Sequence, residues 1–135
     1  MRELSLLLIK PNATRKKHTG EIIAIVEQAG YDIIKLKSFF FNRRSVNNFY
    51  AEHKGKEFFD RLTSFMLSGM IVALLVEKDN AVTDLRELIG ATDPAKRRKG
   101  TIRDLYADDY TENAVHASDT HDHAVREISL IFPEV

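Results

Sequence analysis

The segment Asn113-Ala-Val-His-Ala-Ser-Asp-Thr120 holds the residues best suited to do chemistry. A short apolar strand through Ala114 and Val115 carries His116, and Ser118, Asp119 and Thr120 follow as three candidate N-caps of a last helix. An imidazole at a strand end, facing a helix start, is placed to meet an anion, because the free N–H groups of a helix N-terminus favour phosphate. Taken alone, a single histidine reads more simply as a turn residue. Glu127 weighs against that reading. It falls beside Ala124, Ile128 and Ile131, on the margin of the stripe that the last helix buries. A carboxylate there needs a partner. Bonded to one imidazole nitrogen, it would fix the tautomer and leave the other nitrogen free to attack.

Cations stand at element ends across the chain. Lys10 closes the first strand, Arg86 lies in a helix, and Arg103 lies in a long loop. A nucleoside triphosphate needs several cations around it, and arginine clamps phosphate oxygens bidentately. Each has a plainer reading: Lys10 as a solvated strand end, and Arg86 as the ion-pair partner of Asp84 or Glu87. Phe58 and Phe59 offer a ring to stack on a base, although a helical aromatic stripe is more often core. Tyr50 is at core-like spacing, with a hydroxyl for the rim. The run Lys96-Arg-Arg-Lys99 reads as a solvated loop. Among His116, Asp119, His121, Asp122 and His123, the two helical histidines His121 and His123 are two apart and point to different faces, where a helical two-ligand metal site wants a spacing of four. No dedicated transition-metal site is expected there. No G-x-S-x-G occurs, so a serine nucleophile has no support.

These residues must be positioned by one domain over 1–135, a length that buries a core without staples. Hydrophobic residues make up 44% and charged residues 30%, and formal net charge is zero, which argues against broad nucleic-acid binding. Cysteine is absent, which agrees with a reducing cytoplasm, the expected location. The apolar run Leu4 to Ile9 is too short to span a membrane and suits a central strand buried on both faces. Asn12 to His18 reads as a loop, then Thr19 caps a helix closed by Gly30. Tyr31 to Phe41 reads as a strand, Ser45 as the cap of a short helix, and Phe58 to Met66 as another helix. Met70 to Val76 is a second continuous apolar strand, and Asn80 to Ile89 a helix stopped by Gly90. From Ala91 to about Glu112 little pattern is visible beyond one helical turn at Thr101 to Leu105, and so long a loop is uncommon in a compact domain unless it is functional or disordered. The order predicts an α+β fold: a split β-α-β, four-stranded antiparallel sheet covered by helices, ferredoxin-like, with a long loop at the site.

Several of these motifs, in this order, resemble the nucleoside diphosphate kinase family along nearly the whole chain. They are Ile9-Lys-Pro11, Thr19-Gly-Glu-Ile-Ile23, Phe49-Tyr50, Phe58-Phe59, Ser68-Gly69, Gly90-Ala-Thr-Asp-Pro94, Gly100-Thr-Ile-Arg103 and Asn113-Ala-Val-His-Ala-Ser-Asp119. The last looks like the family's active-site signature. The resemblance implies ping-pong transfer of a γ-phosphate from a nucleoside triphosphate to a nucleoside diphosphate through a phosphohistidine on His116, maintaining nucleoside triphosphate pools. It implies that Lys10 and Asn113 reach the sugar, that Arg86, Thr92 and Arg103 hold the phosphates, and that Tyr50 lies beside them. Phe58 would stack on the base, tolerating any base because each has a π-face. Ser118 and Glu127 would orient the ring, with Lys10 counted among the catalytic groups. Mg²⁺ would arrive with the nucleotide and reach Asp119 through water. A homo-oligomer built from dimers, hexamer or tetramer, is also implied, with no membrane and no specific nucleic acid as partner. The alternative is a non-catalytic nucleotide-sensing or interaction module on the same fold. The chain departs from the family pattern at Asn12 (usually Asp), Glu57 and Met70 (usually Pro), and Asp104-Leu-Tyr106 (usually Gly-Asp-Phe).

Overall fold

Two uninterrupted apolar runs form the centre of the sheet. In the computed structural model, which describes residues 2–135, these are β1 (Arg2–Ile9) and β3 (Ile71–Asp79). Their residues Leu6, Leu7, Leu8, Leu74 and Leu75 are fully buried, as expected for strands covered on both faces. β2 (Asp32–Phe39) pairs with β3 and β4 (Val115–Ala117) pairs with β1, giving the order β2-β3-β1-β4 with every pair antiparallel.

Helices cover both faces. Alternate side chains of β1 and β3 point into two separate cores. Leu6, Leu8, Ala73 and Leu75 pack with α3 (Arg43–Phe49), α4 (Phe59–Leu67) and α7 (His121–Ile131). Leu7, Ile9, Val72 and Leu74 pack with α1 (Pro11–Arg15), α2 (Thr19–Gln28), α5 (Ala81–Ile89) and α6 (Ile102–Tyr106). The α+β, ferredoxin-like expectation holds.

Some local expectations are corrected. Residues 12–18 are not simply loop: Pro11 starts α1, where its fixed φ and missing N–H are harmless. The segment's polarity misleads because some of its polar groups turn into the fold, as when Thr14 Oγ1 donates to the Met70 carbonyl at 2.7 Å. The cap of α3 is Asn42, not Ser45. Asn42 Oδ1 accepts from the Ser45 N–H at 2.8 Å while Ser45 Oγ accepts from the Asn42 N–H at 3.0 Å, a reciprocal capping box with serine in the third position. Thr19 is the first residue of α2 rather than its cap, a position His18 fills without a side-chain bond. Of the three candidate caps before α7, Thr120 is the one used, accepting from the His123 N–H at 3.1 Å.

Candidate active site

β4 is only three residues long, but its alternation decides where His116 points. Val115 and Ala117 belong to the core under α2 and α5, so His116, opposite Leu8 of β1, faces the other side. There it meets the rings of Phe49 and Tyr50 edge-on, at centroid distances of 5.2 and 5.9 Å. The residue before the strand is unusual. Ala114 has φ of +76°, and the Val115 N–H closes a three-residue turn onto the Asn113 carbonyl at 3.0 Å. This conformation is rare and strained for a residue with a Cβ. It is held by the Lys10 N–H, which donates to the Ala114 carbonyl at 2.8 Å.

The buried carboxylate of Glu127 supports the ring. His116 Nε2 lies 2.7 Å from Glu127 Oε1, and Ser118 Oγ donates to the same oxygen at 2.8 Å. A carboxylate only accepts, so Nε2 carries a proton, and in the neutral ring Nδ1 is the nitrogen with the lone pair. Burial raises the Glu127 carboxyl, but the bonds from His116 and Ser118 and the charges of His116 and His123 outweigh it, and the net shift is downward. Glu127 is therefore held as an anion. Ser118, Asp119 and Thr120 thus divide three tasks: one braces Glu127, one pairs with Arg86, and one caps α7.

Three cations converge beside this ring. Lys10, 4% exposed at the end of β1, donates through Nζ to Asn113 Oδ1 at 2.9 Å. Burial, then the charge of Arg103, lowers its pKa to about 7. Arg86 pairs with Asp119 Oδ1 at 3.0 Å; Asp84 and Glu87, its expected partners, pair instead with Lys78 and Arg98. Arg103 is buried and donates to the carbonyls of Gly90 and Val115, each at 3.0 Å, and to Thr92 Oγ1 at 3.3 Å. Burial, then the charges of Arg86 and Arg97, lowers its pKa to about 10. Its Nε and the hydroxyl of Tyr50 are buried without a hydrogen-bond partner. Orphaned donors at a cavity wall suit a polar ligand.

Lys10, Tyr50, Phe58, Arg86, Thr92, Arg103, Asn113, His116 and Asp119 all line one cavity of about 340 Å³. Glu127 and Ser118 stand at the ring, so the residues that the family resemblance assigned to the site are drawn to one place, whereas Phe59, His121 and the run 96–99 lie outside the cavity lining. Phe58 precedes α4 and is 46% exposed, so its ring lines the cavity rather than being spent in the core, with Lys56 Nζ over it at 5.7 Å. Other lining residues escaped sequence reasoning. His53 sits against Phe58 at 5.3 Å between centroids, and Glu52 and Tyr110 also line the cavity. Arg97 was hidden within the basic run: it donates to the carbonyls of Ala91, Thr92 and Asp109 at 2.9–3.0 Å and clamps the long loop across itself. In a more open cleft between α5 and residues 98–101, four of the charged side chains pair as Lys78–Asp84 and Arg98–Glu87.

Comparison with known proteins points the same way. Residues 3–135 match the family model described as nucleoside diphosphate kinase. A curated nucleoside diphosphate kinase of Actinobacillus pleuropneumoniae (serotype 3) is 48% identical over 132 residues, covering 98% of this chain and 96% of the relative. One from Methanocaldococcus jannaschii is 41% identical over 134 residues, covering 99% and 96%. Among solved structures, the Aquifex aeolicus nucleoside diphosphate kinase superposes with a TM-score of 0.94 at 38% identity, covering 98% and 96% of the two chains. The Halobacterium salinarum enzyme, solved in complex with CDP, superposes at 0.93 with 34% identity over 98% and 88%. A non-catalytic module is not favoured by relatives named as kinases. With this likeness along its full described length, the chain belongs to the nucleoside diphosphate kinase family and shares its activity.

Proposed function

We propose that His116 carries the phosphoryl group, through Nδ1, between two nucleotides that use the cavity in turn. The observation that carries this reading is the 2.7 Å bond from His116 Nε2 to Glu127, which in the neutral ring makes Nδ1 the lone-pair nitrogen, in the cavity shared with Lys10, Arg86 and Arg103. The Nδ1 lone pair attacks the γ-phosphorus, the bond to the β–γ bridging oxygen breaks, and that oxygen leaves with the nucleoside diphosphate. A terminal oxygen of a second nucleoside diphosphate then attacks the phosphohistidine, and Nδ1 is released. Glu127 offsets the positive charge that the ring gains in between, and Ser118 keeps the carboxylate in line.

The rest is positioning, which dominates phosphoryl transfer. Arg86, Arg103 and Thr92 hold phosphate oxygens, Lys10 and Asn113 the sugar hydroxyls, and Tyr50 closes the wall with its hydroxyl. Phe58 stacks on the base without reading it. Mg²⁺ bound with the nucleotide supplies charge neutralisation on the phosphates. Asp119 fits that ion as an oxygen donor for a cation that keeps its waters, since it is half exposed and engages Arg86 through Oδ1. The same reading includes upkeep of nucleoside triphosphate pools in the cytoplasm by a dimer-based oligomer. Among the described residues no helix is long and apolar enough to cross a membrane.

Incubation with γ-labelled ATP and Mg²⁺ tests the carrier. Acid-labile label should form, disappear in His116→Ala, and be chased off by GDP. Properly folded protein that exchanges phosphate yet never holds label would overturn the phosphohistidine route.

A further inference from the structure

Glu127 has a second histidine close to it. His123 and Glu127 are four apart on α7, so their side chains rise from one face of the helix. His123 Nε2 lies 3.3 Å from Glu52 Oε2, on the 3-10 turn Ala51–His53. One ligand atom from each of Glu52, His123 and Glu127 lies within 4.8 Å of the other two. The bonds from His116 and Ser118 both fall on Glu127 Oε1, which leaves Oε2 outside them. His123 Nδ1 is buried with no hydrogen-bond partner.

We propose that Glu52, His123 and Glu127 form a site for a transition-metal dication of the zinc class, which shares Glu127 with His116. The donor set decides the metal. One imidazole with two carboxylates suits Zn²⁺, Co²⁺ or Ni²⁺, whereas Mg²⁺ favours oxygen alone. Three protein ligands leave a fourth position to water. Adjacent ligand atoms around a tetrahedral zinc stand about 3.3 Å apart, from bonds of ~2.0–2.1 Å. The His123–Glu52 pair already stands at that spacing, 3.3 Å. The expectation of no dedicated metal site concerns His116, Asp119, His121, Asp122 and His123; the set proposed here differs from it, its i,i+4 pair being His123 with Glu127. His121 stands apart, bonded to Glu3.

Occupancy has a consequence at His116. A metal on Glu127 draws charge from the carboxylate and weakens its hold on the imidazole, so phosphoryl transfer slows as the site fills. This second effect rests on the role proposed for His116; metal binding itself does not.

The test is a Co²⁺ titration of nucleotide-free protein, read by visible d–d absorption and confirmed with Zn²⁺ by calorimetry. One metal per chain is expected. His123→Ser and Glu52→Gln should each weaken binding at least tenfold, and His121→Ser should not. Circular dichroism checks that each variant is folded. A wild-type protein that binds neither metal, or binds both as tightly in His123→Ser, overturns the site. In the exchange assay Zn²⁺ should inhibit wild type and spare His123→Ser; equal inhibition of both overturns the coupling. Because the titration needs no nucleotide, failure of the label experiment would leave its outcome unaffected.

Discussion

Lys10 is a lysine held where its charge is unwelcome. Its pKa falls from 10.5 to about 7, by burial first and then by Arg103. Between those two values the unfolded chain binds more protons than the folded one, so folding stability rises with pH across that window. Below it the ammonium is charged in both states, and the full penalty remains. A phosphate-bearing ligand favours the charged form and reverses the local balance. Nucleotide binding at about pH 8 should therefore draw in up to about one proton per site. Calorimetry in buffers of different ionisation enthalpy measures this; identical apparent enthalpies would sink the idea, and Lys10→Met should abolish the uptake. Asn12 is a second residue-scale case. Its Nδ2 donates to Asp108 Oδ2 at 2.8 Å and to the Glu112 carbonyl at 2.9 Å, in a chain where the family usually has aspartate. Asp108 is held low by Lys16 first and then by Asn12. Asn12→Asp would set two carboxylates against each other and cost about 1–3 kcal/mol at neutral pH, the scale of a buried group losing its partner. Urea titration near neutrality and near pH ~4, where protonation relieves the repulsion, separates this from a packing effect. Both sites also mark what sequence can disclose. His116, Glu127 and Arg103 are legible because their chemistry is carried by residue type. Ala114 is not, since nothing in an alanine announces a φ of +76°.

At the scale of elements, apolar runs reveal whatever is buried on two faces. β1 and β3 were therefore plain, and α5 and α7 nearly so. What stayed hidden is held by backbone carbonyls, which have no sequence signature. The loop 91–112 is the main instance. It has α6 and a short 3-10 turn at Pro94–Lys96, and Arg97 and Arg103 together donate to five of the carbonyls around it. Gly90 is its entry. With φ of +90° it accepts from Arg103 through its carbonyl, and an added Cβ would stand 2.4 Å from Thr101 Oγ1 and 2.8 Å from Thr101 Cβ. Gly90→Ala therefore meets both strain and a clash on the loop's own cap, since Thr101 caps α6. A loss of roughly 2 kcal/mol or more is expected by denaturant titration, with nucleotide affinity falling at least tenfold as Arg103 is displaced. A variant that loses stability but keeps full affinity would show that the loop and the phosphate cations are not mechanically linked.

At the scale of the whole molecule, the sheet has an unfinished side. β2 is an edge strand eight residues long, and a row of unpaired backbone groups on such an edge invites another chain. Its side chains point the same way. Leu36 sits opposite the fully buried Leu74 yet is 51% exposed, so one core ends at an uncovered leucine. Ile34, the extra residue of a bulge, and Phe40 are exposed beside it in sequence. Lysines often guard such edges, and β2 has two. Lys37, however, reaches the Phe132 ring and Lys35 reaches Glu134, both beyond α7 on the opposite side from Leu74. Neither shields Leu36. Pairing of β2 with a second copy would cover both the edge and the leucine, and burying the exposed half of that side chain contributes roughly 1 kcal/mol per chain. Light scattering should find an oligomer whose melting temperature rises with protein concentration, because association stabilises by mass action. Leu36→Glu should shift the protein toward monomer and remove that concentration dependence, while the His116 label still forms because β2 and the β4 strand that carries His116 lie at opposite edges of the sheet. An oligomer unmoved by Leu36→Glu would place the contact on another face of the molecule.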